Sequence, residues 1–295
     1  MNTKTLHALW GMARPTLLLT VLMVYMIGNL IPLAFGFAPG LSEFLWGLLA
    51  LAPVILAAHY VNEYADWETD EITERTPFSG GSGLLARGIG SRELALKAAI
   101  GSQLIATIIL MIALAAGGLS IAVLPMWIIG SIAGWVYSMP PVMLAWRGGG
   151  EIINAILLGV NLPLYAYTVQ TGQIEIKVLI GCLPFALLVF DLVMATNFAD
   201  RNADAKVGKL TLSSQLPPRY LRLIYWFALF TAYFAQIFMA GTFLPEIVVL
   251  SSLPALPLLV YAGTRYTRIH SPLPTVLAML LLLPLQLVAW ILTGV

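Results

Sequence analysis

Nine apolar runs limit what this chain can become, because each is long enough to cross a hydrocarbon layer of about 30 Å as a helix. They fall near residues 15–37, 43–65, 93–115, 120–138, 151–172, 177–198, 220–242, 245–264 and 272–294. The runs are continuous rather than striped, so each predicted helix is apolar all round and needs lipid or other helices on every side. Composition points the same way. Hydrophobic residues make up 60% of the 295 positions and charged residues 10%, whereas soluble domains carry roughly a quarter charged residues. The predicted fold is therefore all-α: a single domain over 1–295, a multi-pass membrane bundle of nine transmembrane helices around a central cavity. The run from Thr16 to Phe37 exceeds a signal-peptide core and no A-x-A-like site follows it, so it is read as the first span. Residues 2–13 are expected to form a short interfacial helix, with Trp10 and Arg14 at headgroup level. Pro53, Pro163, Pro184 and Pro284 are tolerated inside spans where neighbouring helices re-satisfy the freed backbone.

Charge then orients the bundle. With the N-terminus in the cytoplasm, the Lys and Arg residues from Lys4 and Arg14 to Arg265 and Arg268 fall on the cytoplasmic side, and Lys177 alone falls on the other. That asymmetry follows the positive-inside rule and supports an odd helix count. The net charge of +1 gives no reason to expect a nucleic-acid partner. Cys182 is the one cysteine, so no disulfide or cysteine-based zinc site forms within the chain, and it reads as a buried small hydrophobe.

The two longest connections, about 66–92 and 199–219, lie on the predicted cytoplasmic side and carry half of the 14 acids. At the end of the second span, Asn62, Asp66 and Asp70 are each four apart, which stacks three oxygen-bearing side chains on one helix face. Asp200 and Asp204 repeat that spacing at the end of the sixth span. One offset of 134 residues relates Asp66 to Asp200, Asp70 to Asp204 and Arg75 to Lys209, which suggests a weak internal repeat of helices one to four and five to eight. Asn62 and Asn197 miss that register by one. Clustered carboxylates repel unless cations intervene, and hard oxygen ligands select Mg2+ or Ca2+. Two Asp pairs facing one another can hold a Mg2+–diphosphate unit, with Arg75 and Lys209 neutralising the remaining phosphate charge. Taken singly, either pair also reads as a solvated helix end.

These residues resemble the UbiA-type membrane prenyltransferases. The resemblance rests on N-E-Y-A-D-W-E-T-D at 62–70, on N-F-A-D-R-N-A-D-A-K-V-G-K-L-T at 197–211, on Tyr137-Ser138-Met139-Pro140-Pro141 and on Gly150-Glu151, and it covers nearly the whole chain. Glu63 stands where Asp is commoner. The resemblance implies transfer of a polyprenyl group from an isoprenyl diphosphate to an acceptor, usually an aromatic quinone precursor, with Mg2+ as cofactor. It implies Asn62, Asp66 and Asp70 as one catalytic set and Asp200 and Asp204 as the other, the four aspartates as metal ligands, and Arg75, Lys209 and Asn197 as diphosphate contacts. The loop Thr76 to Gly83 has a form similar to menaquinone-branch members, which favours dihydroxynaphthoate as acceptor. Other acceptors, a tetrapyrrole or a glycerol lipid, stay open. The implied setting is a prokaryotic inner membrane, with the site facing the cytoplasm and lipid around the bundle.

Several residues carry two readings. Tyr137 lines the acceptor side or is an interfacial belt tyrosine. Asp191, inside the sixth span, serves the acceptor pocket or pairs structurally. Asn154 and Asn161 line the cavity or bond between helices. The glycine-rich loop cradles phosphate oxygens or is a plain turn. His59 reads as structural, and Glu63, Glu68, Glu71 and Glu74 as solvated surface. A secondary transporter is the competing class, because internal repeats and intramembrane acids also occur there. Its sites, however, lie near midplane rather than at one edge.

Overall fold

A computed structural model describes residues 3–294, and it is helical with no strand among them. A short helix, α1 (Thr3–Met12), leads into α2 (Pro15–Leu30), which continues as a 3₁₀ turn to Phe35. Then follow α3 (Leu41–Ala65), the short α4 (Trp67–Ile72), α5 (Arg92–Ala115) and α6 (Leu124–Ser138). The fifth span is α7 (Gly150–Ile156), a π-helical turn (Leu157–Asn161) and α8 (Leu162–Thr171). The long α9 (Ile176–Val207) is followed by α10 (Leu212–Gln215), α11 (Pro218–Met239), α12 (Glu246–Ser252), α13 (Leu256–Arg265) and α14 (Leu273–Leu292). Nine of the described helical segments are long and apolar enough to cross a membrane, the expected number at the expected places. The interfacial helix also forms, with Trp10 exposed; its predicted first residue, Asn2, lies outside the described residues.

Close approach explains much of the packing. A side chain at Gly28 would run into Pro163 and Ala166, and one at Gly159 into the backbone of Ala186. Membrane helices associate through such small-residue contacts, since lipid tails are as apolar as Leu and supply no hydrophobic drive between helices. The π turn sits just before Pro163, whose missing N–H and ring disturb the ladder. One core cluster joins α2, α3, α5, α6 and α8 around Tyr25 and Tyr165, and a second joins α9, α11, α13 and α14 around Tyr225. The outward faces are apolar, for instance Ile105 and Ile108 on α5 and Phe227, Phe234 and Phe238 on α11, as contact with lipid requires.

Two departures from expectation bear on the site. The helix α9 runs nine residues beyond its predicted end, so Asp200 and Asp204 sit on a continuous helix rather than in a loop. The first motif instead bends at Asp66, between α3 and α4. Hydrogen bonds from Asp66 N to Asn62 O and from Asp70 N to Asp66 O carry the helical spacing across the bend. An apolar cavity of about 60 Å3, lined by Ile27, Cys182, Phe185, Gln236 and Trp290 among others, lies toward the end of the bundle away from these acids. Ligand pockets typically measure about 300–1,000 Å3.

Candidate active site

The acids meet through a helix terminus. Gly208, at φ 79°, ends α9 in the left-handed region where glycine pays no Cβ penalty. The turn closes with Lys209 N on Asp204 O at 2.8 Å and Gly208 N on Ala205 O at 3.4 Å, a Schellman pairing. The chain thereby doubles back, and Lys209 Nζ reaches Asp66 Oδ2 at 3.0 Å and stands 3.8 Å from Asp204 Oδ1. One ammonium bridges the two aspartate motifs. The Lys209 side chain is only 12% exposed. Burial pulls its pKa down, but Asp66 and then Asp204 more than offset that and hold it above the ordinary lysine range.

Asp66 is fully engaged. Asn62 Nδ2 donates to its Oδ2 at 2.7 Å and Trp146 Nε1 to its Oδ1 at 2.9 Å. The i, i+4 spacing thus brings Asn62 onto Asp66 as expected. Trp146 had no distinguishing signal in the sequence; it arrives from the α6–α7 connection, where its carbonyl accepts from Leu210 N. Burial pushes the Asp70 carboxyl up to about 7; Arg14 opposes that rise, while Asp66 and Glu63 add to it.

The glycine-rich segment folds across both motifs. Gly80, Gly81 and Gly83 all have positive φ. Gly80 N donates to Asp200 Oδ2 at 3.1 Å, and a side chain at Gly81 would occupy the space of the Asp70 carboxyl. Arg75 is turned into this loop: its Nε donates to Gly80 O at 2.8 Å and its Nη2 to Gly81 O at 2.6 Å. Arg75, expected at the phosphate, thus staples the loop through two carbonyls that lie within reach of its fork.

Other expected residues are placed differently. Asn197 Nδ2 donates to Glu151 Oε1 at 3.0 Å, which also accepts from Leu212 N at 2.9 Å. Asn197 thus faces a buried acid, where a diphosphate contact was expected. Tyr137 and Asn154 do come together, with Asn154 Nδ2 donating to the Tyr137 hydroxyl at 2.9 Å. Asp191 does not join them. It lies nine residues before Asp200, about half a turn around α9, and is packed in the second core cluster's surroundings with both oxygens lacking a hydrogen-bond partner among the described residues. Asn161 bonds to the Met126 carbonyl and His59 to the Ala13 carbonyl, both structural contacts. Glu63, expected on a solvated face, is 2% exposed and paired with Arg14 at 2.6 Å. The bend at Asp66 and the approach of α1 bury that face.

The donor set suits a hard cation. Asp200 Oδ1 and Asp204 Oδ1 are buried without a hydrogen-bond partner, and an orphaned carboxylate oxygen is costly unless a cation or donor meets it. Among the described residues no three His, Cys, Asp or Glu side chains gather to hold a metal by themselves. Mg2+ does not need such a cage, since it typically takes one or two carboxylates with waters and phosphate oxygens.

Comparison with known proteins bears on the family and the fold. The model of the UbiA prenyltransferase family matches residues 17–283. The chain is 25% identical over 205 residues to the 1,4-dihydroxy-2-naphthoate octaprenyltransferase of Bacillus subtilis (strain 168), covering 70% of this chain and 64% of that protein. It therefore spans just under two thirds of that relative's length. The fold is similar to that of a digeranylgeranylglyceryl phosphate synthase, with a TM-score of 0.67, 16% identity and 99% of each chain covered. It is similar again to a UbiA homologue from Archaeoglobus fulgidus bound to DMAPP and Mg2+, with a TM-score of 0.67, 16% identity, and 97% and 98% covered.

Proposed function

Because this chain belongs to the UbiA prenyltransferase family, an integral multi-pass membrane fold, we propose that it transfers a polyprenyl group from an isoprenyl diphosphate to an aromatic quinone precursor, releasing diphosphate. Dihydroxynaphthoate is the first acceptor to test, given the Bacillus subtilis relative. The observation that carries the proposal is the meeting of two aspartate motifs from separate helices on Lys209, with a glycine-rich loop laid across them.

In this reading Asp66, Asp70, Asp200 and Asp204 hold Mg2+, which when bound neutralises the leaving diphosphate as a Lewis acid. Lys209 supplies a fixed positive charge beside it, where negative charge grows as the allylic C–O bond breaks. Arg75 acts through the loop whose carbonyls it holds. With those carbonyls occupied, the loop can turn N–H groups toward phosphate oxygens. Tyr137 and its partner Asn154 bound the acceptor side, joined by the bond from Asn154 Nδ2 to the Tyr137 hydroxyl. Asn197 works with Glu151 to fix the start of α10, which keeps the Lys209 turn in place. The basic residues cluster at the same end of the bundle as the acids, which supports a site facing the cytoplasm of a prokaryotic inner membrane.

The test uses purified protein in detergent with radiolabelled geranylgeranyl diphosphate, Mg2+ and a panel of aromatic acceptors. Prenylated product that vanishes with chelator and in Asp66→Asn and Asp200→Asn is the expected result. Unimpaired turnover in both variants would overturn the residue assignment. Loss of diphosphate binding altogether in the wild type would return the chain to the transporter class.

A further inference from the structure

Glu63 is a buried acid that the proposed chemistry leaves unused. It lies one position beyond Asn62 and three before Asp66, yet its side chain is turned away from both. Its Oε1 accepts from Arg14 Nε at 2.9 Å, from Arg14 Nη2 at 2.6 Å and from Ser82 N at 2.8 Å, and its Oε2 accepts from Ser82 Oγ at 2.5 Å. Four donors converge on one carboxylate, from two segments that are far apart in sequence. Arg14 caps α2 with φ 52°, a left-handed conformation unusual for a side chain of that size. Burial lowers its guanidinium pKa, but Glu63 and then Asp70 more than offset that and leave it raised, so it stays charged.

A buried ion pair is a poor way to gain stability, since well-packed apolar residues often serve as well or better. What this one provides is position. Ser82 is held at both its N–H and its hydroxyl, and its hydroxyl in turn accepts from Leu84 N. Leu84 is buried in a third core cluster with Ala8, Met12 and Val61, against Gly11 of α1, where any side chain would collide with it. The C-terminal side of the loop is thus pinned twice. Its N-terminal side is the part that touches the acids: Gly80 N on Asp200, Gly81 against Asp70.

We infer that Glu63, clamped by Arg14, is a positioning residue rather than a metal ligand: it holds Ser82 so that the Gly80–Gly83 backbone lies between the two aspartate motifs and recognises the diphosphate. The inference rests on the proposed diphosphate site. It makes the N-terminal α1–α2 junction part of substrate recognition, through Arg14.

The test compares wild type with Glu63→Gln, Ser82→Ala and the double variant Arg14→Gln/Glu63→Gln. Ser82→Ala leaves the buried ion pair intact and removes one hydroxyl, so it keeps the question open to decision if Glu63→Gln fails to fold. Expected are a KM for prenyl diphosphate raised about tenfold or more in Glu63→Gln and several-fold in Ser82→Ala. In both, kcat falls less than threefold and the acceptor KM is unmoved. The double variant should be no worse than Glu63→Gln, as for residues that act as one unit. Hydrogen exchange of the amides at 79–84 should quicken in both single variants without substrate, while the spans keep their protection. Unchanged diphosphate KM and unchanged loop exchange in Ser82→Ala would overturn the inference. So would a Glu63→Gln defect cured by added Mg2+, which would mark a metal ligand. The exchange measurement needs no turnover, so failure of the clamp and failure of the prenyl-transfer reading are separable.

Discussion

Replacing Lys209 with Met is the most informative single change. The side chain keeps its length and its apolar stem but loses the charge that bridges Asp66 at 3.0 Å and Asp204 at 3.8 Å. With an effective dielectric of about 20, each such contact is on the order of 4 kcal/mol before desolvation is counted. Both acids are nearly buried, with side chains 8% and 2% exposed, so solvent screens little of this. Removing one partner of a buried pair costs about 3–5 kcal/mol, because the charge left behind is uncompensated. For chains of comparable size that is a fall in thermal midpoint of roughly 6–20 °C. Lys209 stays protonated because its pKa is raised, so its contribution is complete below the unfolded value and is lost only as pH climbs through the still higher folded one. The deficit should therefore be flat between about pH 7 and 9. Millimolar Mg2+ without substrate should recover part of the midpoint in the variant and little in wild type, since only the variant lacks a cation between the motifs. Thermal unfolding in detergent, followed by tryptophan fluorescence with and without Mg2+, reads all of this. Turnover should fall about 10²–10³-fold with the lost transition-state charge. An unchanged midpoint together with an unchanged response to Mg2+ would refute the bridging role.

Asp70, pushed up by burial to about 7, is largely protonated below neutrality. The raised carboxyl favours the folded state at low pH and loses that contribution between about pH 4 and 7. Mg2+–diphosphate binding should weaken up to about tenfold per unit below pH 7 and release a proton, which calorimetry in two buffers of different ionisation heat would detect. Gly81→Ala should destabilise by about 1 kcal/mol or more, because its φ of 63° disfavours a Cβ. It should also impair turnover by pressing on Asp70, which thermal melts and steady-state rates would report. Tyr137→Phe loses the bond to Asn154 and should raise the acceptor KM by up to about tenfold, leaving the diphosphate KM alone. Asp191→Asn should keep turnover within about threefold of wild type, since Asp191 faces away from the acid cluster; a hundredfold loss would return it to the acceptor pocket.

The outline of the bundle was legible in the residues because a membrane helix is decided locally. About twenty consecutive apolar residues must form one, whatever they pack against. The i, i+4 contact of Asn62 with Asp66 was legible for the same reason. The extent of α9 beyond residue 198 was not, because polar residues there continue the helix once Asp204 and Lys209 find partners on other segments.

The apolar runs and the acid spacing by themselves determined a nine-span bundle with its paired aspartates at one end. Only the tertiary structure decided which donors meet those carboxylates. Ser82 and Arg14 on Glu63, Trp146 on Asp66, Asn197 on Glu151 and the turning away of Asp191 all join or separate residues through packing between helices. A buried charge takes whatever partner the fold brings within about 3 Å. That distance is set by the bend at Asp66, the glycines of the loop and the approach of α1, and no period within one helix encodes it.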